Sequence, residues 1–196
     1  VNELDERVIH FKDLEIRDGT ETNDFVGQIA GYAIAFNSPS VSAGPFIEYI
    51  DKTALNGVDL SNVLALYDHD YSNVLGRVTA GTLKLKVDAK GLYFELDVPN
   101  TTLGNDIYKQ IKLGNLQGVS FGFSVDDGGD SWSYQDGKPV RAVEQIASLK
   151  EISVVSVPAY EATTVQATRS LNDWQKNNNY KEKVAVYMKG FNNDND

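Results

Sequence analysis

The chain has 196 residues, enough for one ordinary domain and a tail and too few for two large domains. It is 41% hydrophobic and 10% aromatic with 16 Gly and 5 Pro, which excludes disordered and collagen-like classes. A formal charge of −10 opposes binding to nucleic acid, where clustered Lys and Arg must displace counterions, and suits a basic partner instead.

In chain order, Phe25 to Phe36 is rich in β-formers and breaks at Asn37-Ser38-Pro39, which predicts a strand ending in a turn. In Phe46 to Leu55, the spacing of Phe46, Ile47, Ile50, Ala54 and Leu55 followed by Gly57 predicts a short helix. Asn62 to Tyr67 reads as a strand running into Asp68-His69-Asp70, and Val74 to Val78 resumes extended structure, so His69 sits at a strand end. Thr82 to Val87 and Leu92 to Val98 flank Asp88-Ala89-Lys90-Gly91 and predict a hairpin. Gly104 to Leu113 puts Ile107, Ile111 and Tyr108 on one helical face, with Thr101 or Thr102 as cap and Gly114 as stop. Val119 to Val125, Val140 to Ile146 and Leu149 to Val157 are strand-like, and the acidic, glycine-rich Asp126 to Gly137 reads as an exposed loop. Leu171 to Phe191 predicts an amphipathic helix interrupted at Asn177-Asn178-Asn179, and Asn192 to Asp196 a disordered end. The tail from Leu171 is neutral, so the excess acid lies upstream of it. The expected class is α+β and mainly β: a curved or closed, antiparallel-rich sheet with a few flanking helices.

Several chemistries lack their residues. There is no cysteine, hence no disulfide, thiol nucleophile or thiolate metal site, which fits a reducing cytoplasm. The two histidines are far apart, no zinc-protease motif occurs, and Asp126-Asp127-Gly128-Gly129-Asp130 lacks the spacing of a calcium loop, so no metal is expected. No phosphate-binding glycine loop is present, and no cofactor is expected. No apolar run approaches the roughly 20 residues that span a bilayer, and the start lacks a signal-peptide pattern, so a soluble, unsecreted chain is expected. Asn100-Thr101-Thr102 is then a chance sequon.

Gly118-Val119-Ser120-Phe121-Gly122 matches G-x-S-x-G, the strand-to-helix elbow that presents a nucleophilic serine. No histidine follows Ser120, so the α/β-hydrolase order Ser, acid, His fails. Continued alternation instead puts Val119, Phe121, Phe123 and Val125 on one face of a strand, with Gly118, Ser120, Gly122 and Ser124 on its small, open face. That face is small either because another backbone packs on it or because a serine works there, and a working serine needs a base. His10 lies in a charged run and reads as a surface residue, which leaves His69 as the candidate base. A carboxylate would orient the imidazole. Glu151, set in an apolar strand where it needs a partner, is the candidate, with Asp68, Asp70, Glu144 and Glu161 as rivals.

These residues carry a family resemblance running from about Ile29 to Ala167. Its blocks are Gly31-Tyr32-Ala33 with Phe36-Asn37; Phe46-Ile47-Glu48; Leu66-Tyr67-Asp68-His69-Asp70 with Leu75-Gly76-Arg77; Gly118-Val119-Ser120-Phe121-Gly122-Phe123; and Leu149-Lys150-Glu151-Ile152-Ser153-Val154-Val155 through Val157-Pro158-Ala159-Tyr160. In their order and spacing the chain resembles the prohead proteases of tailed bacteriophages, capsid-maturation serine proteases related in fold to the herpesvirus assemblins. The resemblance implies a β-barrel core of the assemblin kind and a triad of Ser120 as nucleophile, His69 as general base and Glu151 as orienting carboxylate. The herpesvirus relatives use a second histidine and an arginine pair beyond the serine; this chain has neither there, so backbone amides are the default oxyanion donors. The implied substrates are the scaffold region of the major capsid protein and the chain itself, with the portal a further partner and self-association expected. The implied place is the bacterial host cytoplasm inside the procapsid; neither nucleic acid nor a membrane is expected as a partner, from the charge and the lack of a spanning run. The expected division is a protease domain over residues 1–167 and a tail over 168–196. A His69 paired with Glu151 would titrate above the ordinary value of about 6.5. The rivals are a catalytically silent scaffold module of the same fold and a Ser-Lys dyad with Lys150 as base.

Overall fold

Strands dominate the computed structural model, which describes residues 5–10 (as backbone), 14–17, 24–39, 46–156, 170–179 and 181. Numbered in chain order, the first sheet runs β1 (Asp5–His10), β9 (Gly118–Ser124), β12 (Ser148–Val155), β5 (Leu64–Tyr67), β6 (Asp70–Arg77). The second runs β2 (Glu15–Arg17), β3 (Phe25–Ala35), β8 (Gly91–Pro99), β7 (Leu83–Val87). The third runs β10 (Asp130–Gln135), β11 (Lys138–Val143), β4 (Ile47–Ile50). Pairing is antiparallel except for β12 with β5 and β11 with β4. Helix α1 spans Thr102–Lys112, and residues 170–179 form a second helix, α2.

The mainly β, antiparallel-rich class expected from the sequence holds, but no closed barrel forms among the described residues. Each sheet is open, ending at β1 and β6, at β2 and β7, and at β10 and β4. The reason lies in where the apolar faces meet. One core takes Ile29, Ile34, Phe94 and Leu96 from the second sheet and Val119, Phe121, Phe123, Ile152 and Val154 from the first. Two sheets thus bury their inner faces on each other instead of one sheet curling onto itself. Helix α1 adds Ile107, Tyr108 and Ile111, as its spacing predicts. Its start is fixed by the Thr101 hydroxyl, which accepts the Gly104 N–H at 3.0 Å, and it stops before Gly114 at φ +75°.

Three expectations fail for identifiable reasons. Phe46 to Leu55 is not a helix: Ile47–Ile50 is strand β4, and turns follow it. Phe46, Glu48 and Ile50 all face inward, a period of two that the sequence hides because one inward residue is a glutamate. Glu48 is buried because its Oε2 accepts from Arg141 Nη1 at 2.9 Å. Within the presumed loop Asp126 to Gly137, residues Asp130–Gln135 form β10, antiparallel to β11. Its Trp132 packs edge-on against Phe46, 4.9 Å between ring centroids, in a small second core that includes Leu171 and Trp174 of α2. Helix α2 runs on through Asn177, Asn178 and Asn179, where an interruption was expected. The disordered end expected at Asn192 to Asp196 lies outside the described residues.

Candidate active site

Strand β9 has the alternation expected of it. Val119, Phe121 and Phe123 enter the main core, while Gly118, Ser120, Gly122 and Ser124 face the other way. The small face is not open, however. Strand β9 is buried along its whole length between β1 and β12, and Ser120 is 0% exposed. Ser120 stands opposite Val8 of β1 and Ser153 of β12.

His69 comes to this sheet on a hairpin. Tyr67 pairs with Asp70, leaving Asp68 and His69 as a two-residue loop with φ of +49° and +58°. A two-residue hairpin turn of type I′ requires positive φ at both central positions, and Asp and His tolerate it better than most residues. Strand β12 pins the loop: the Asp68 N–H donates to the Val154 carbonyl at 2.9 Å, and the His69 N–H to Ser153 Oγ at 3.3 Å. The Asp68 carboxylate accepts the Ser156 N–H at 2.7 Å and also the Ser156 hydroxyl.

Glu151 reaches the same face through a β-bulge. Leu149 stands opposite Phe123, yet Glu151 stands opposite the very next residue, Gly122, so Lys150 is the extra residue. Leu149 therefore faces the core while Glu151 and Ser153 turn to the side of Ser120. Glu151 is 2% exposed, and its Oε1 lies 2.9 Å from His69 Nδ1, a side chain still 18% exposed. Its Oε2 accepts the Ser153 hydroxyl. The carboxylate fits because Gly122 has no side chain: a Cβ there would lie 2.4 Å from Oε1. One sheet face thus gathers a serine, a histidine and a buried carboxylate, a set able to support acyl transfer.

The sequence profile of caudovirus prohead serine proteases matches residues 12–177. The chain belongs to that family. It is a serine protease of the kind associated with capsid maturation. No curated protein matches it. Among solved structures it is similar to the bacteriophage T4 capsid assembly protease, gp21, at 13% identity and a TM-score of 0.45, covering 79% of this chain and 99% of that one.

In this prohead protease the rival acids are engaged elsewhere. Asp68 holds Ser156; Asp70 accepts the Ser72 N–H at 2.8 Å and hydroxyl at 2.6 Å; Glu144 accepts the Ser131 hydroxyl at 2.6 Å. The Ser72 hydroxyl and N–H keep the Asp70 carboxyl below its ordinary pKa. Glu161 lies outside the described residues, as does the side chain of His10, whose backbone pairs with Gly118 in β1. Lys150 is exposed on the bulge. Among the described residues no group of three or more His, Asp or Glu is arranged to hold a metal ion. Sequence reasoning missed two neighbours of Glu151. Gly122 stands in the sequence reading only as a motif residue of a small face and Ser153 only within a block of the resemblance, neither with a role, although the position of Ser153 two residues beyond Glu151 puts both on one strand face.

Proposed function

We propose that this protease cuts phage capsid assembly proteins during procapsid maturation, with Ser120 as nucleophile, His69 as general base and Glu151 as the carboxylate that orients it. The observation that carries the reading is the contact of 2.9 Å between His69 Nδ1 and a Glu151 withdrawn from solvent. Opposite a carboxylate, Nδ1 carries the imidazole proton and Nε2 keeps the lone pair a general base needs. Nε2 takes the Ser120 proton as Oγ bonds to the peptide carbonyl carbon. The C–N bond then breaks, and the imidazolium gives that proton to the leaving amine. Water, deprotonated by the same nitrogen, releases the acid product and restores Ser120. Glu151 stabilises the imidazolium without taking its proton.

The substrates in this reading are the scaffold region of the major capsid protein and the chain itself, met inside the procapsid, with the portal and further copies of the chain as partners. The protease body covers residues 1–167, on a fold of the assemblin kind, and residues 168–196 form its tail. A second reading, a silent module that occupies the procapsid without cutting, draws on the complete burial of Ser120. Intact mass after treatment with a small fluorophosphonate separates the two. The protease reading expects one adduct on the wild type, none on Ser120→Ala, and labelling about 100-fold slower or worse on His69→Ala. The labelling rate should rise with pH as the imidazole loses its proton. A rate that stays flat between about pH 5 and 8 sinks His69 as base. Full labelling of His69→Ala would turn attention to Lys150.

A further inference from the structure

Resting on that triad, we propose that Ser153 is a positioning residue whose hydroxyl holds both Glu151 and the His69 loop in their working orientation. Ser153 is fully buried, and both capacities of its hydroxyl are used. Its proton goes to Glu151 Oε2, and its oxygen accepts the backbone N–H of His69 at 3.3 Å. The other carboxylate oxygen, Oε1, faces His69 Nδ1 at 2.9 Å. A single side chain thus grips the orienting acid at one end and the base's own backbone at the other, directly opposite Ser120 in the strand register.

The carboxylate is bracketed rather than merely paired. On the β9 side the missing Cβ of Gly122 makes room for Oε1; on its own strand Ser153 supplies the donor for Oε2. An alanine would fill position 153 of a strand equally well, so neither packing nor strand propensity calls for a hydroxyl there. Without it, a buried carboxylate oxygen loses its donor, and an N–H in a loop with positive φ loses its acceptor. The carboxylate then turns toward other donors, and the His69 contact loosens with it.

The test is a double-mutant cycle on the full chain, read as the fluorophosphonate labelling rate at Ser120 by intact mass, with folding checked by thermal melting. Ser153→Ala should slow labelling about 10- to 100-fold, the range for a hydrogen bond to a charged group. In a Glu151→Gln background the same substitution should cost at least about threefold less than in the wild type, because only the hold on the His69 backbone is then left to lose. If Ser153→Ala does not fold, Ser153→Cys keeps nearly the same volume with a poor donor and should give the same non-additive pattern. An equal loss in both backgrounds indicates a purely structural serine and overturns the proposal. So does wild-type labelling in Ser153→Ala alongside a wild type that needs His69 and Glu151, and in that case the triad stands. Absence of wild-type labelling, or labelling indifferent to His69→Ala and Glu151→Gln, removes the triad and this assignment together.

Discussion

Glycine at position 122 shows how closely this site depends on atoms that are absent. A Cβ at that position would lie 2.4 Å from Glu151 Oε1, closer than real contacts allow, so Gly122→Ala must displace the carboxylate. Labelling of Ser120 by a fluorophosphonate should fall at least about tenfold, the cost of roughly one lost charge-assisted hydrogen bond, while the thermal midpoint moves little. Undiminished labelling would show that the carboxylate has another productive position. The residue types at 69, 120 and 151 were legible because each is uncommon in its setting: a serine on a strand face of small residues, one of only two histidines, and a glutamate in an apolar strand. What surrounds Glu151 was not legible, since Gly122 and Ser153 are ordinary strand residues until the register brings them together.

Strand β12 and helix α1 show two levels of dependence on the rest of the chain. The bulge at Lys150 reverses the facing of β12 midway, so the alternation of Ile152 and Val154 in the core and Glu151 and Ser153 outside it is out of phase with Leu149. No local rule places that extra residue. Helix α1, by contrast, carries its own instructions in a cap, an apolar stripe and a terminal glycine. Thr101→Ala should therefore remove about 1 kcal/mol of stability and lower the thermal midpoint by about 2–4 °C without slowing Ser120 labelling. A change in labelling with that substitution would mean that α1 communicates with the site.

The third sheet depends on buried charge. Arg141, 1% exposed, binds Glu48 at 2.9 Å and Asp130 at 2.6 Å, and Asp130 also accepts the Ser170 hydroxyl at the start of α2. Removing one partner of such a group is costly, so Glu48→Ala should lower the unfolding free energy by about 3–5 kcal/mol in denaturant titration. A loss below about 1 kcal/mol would mean that Arg141 is adequately compensated by its other partners. A surface carboxylate, Asp88, adds an acid-dependent contribution. The Lys90 N–H and the Tyr32 hydroxyl are the main causes that hold the Asp88 carboxyl below its ordinary pKa. A depressed pKa means that the unfolded chain binds more protons at low pH. The contribution of Asp88 is therefore complete above the unfolded value of about 3.9 and vanishes as pH falls through the lower, folded one. Asp88→Ala should melt below the wild type at pH 7, and the gap should close in that acid range; a gap independent of pH would contradict the ionic origin.

The sequence by itself determined the strand-rich class, helix α1, the β7–β8 hairpin and the alternation of β9, because each is written in residues close along the chain, and it determined the family through the order and spacing of blocks along most of its length. The tertiary structure alone decided that Ile47–Ile50 is a strand, because its period depends on a glutamate neutralised by an arginine 93 positions away. It also decided that β10 exists, that the sheets stack on each other instead of closing, and that Glu151 turns toward His69. In each case the deciding partner is distant in sequence, and the free energy of burial or of an ion pair outweighs the local preference of the segment.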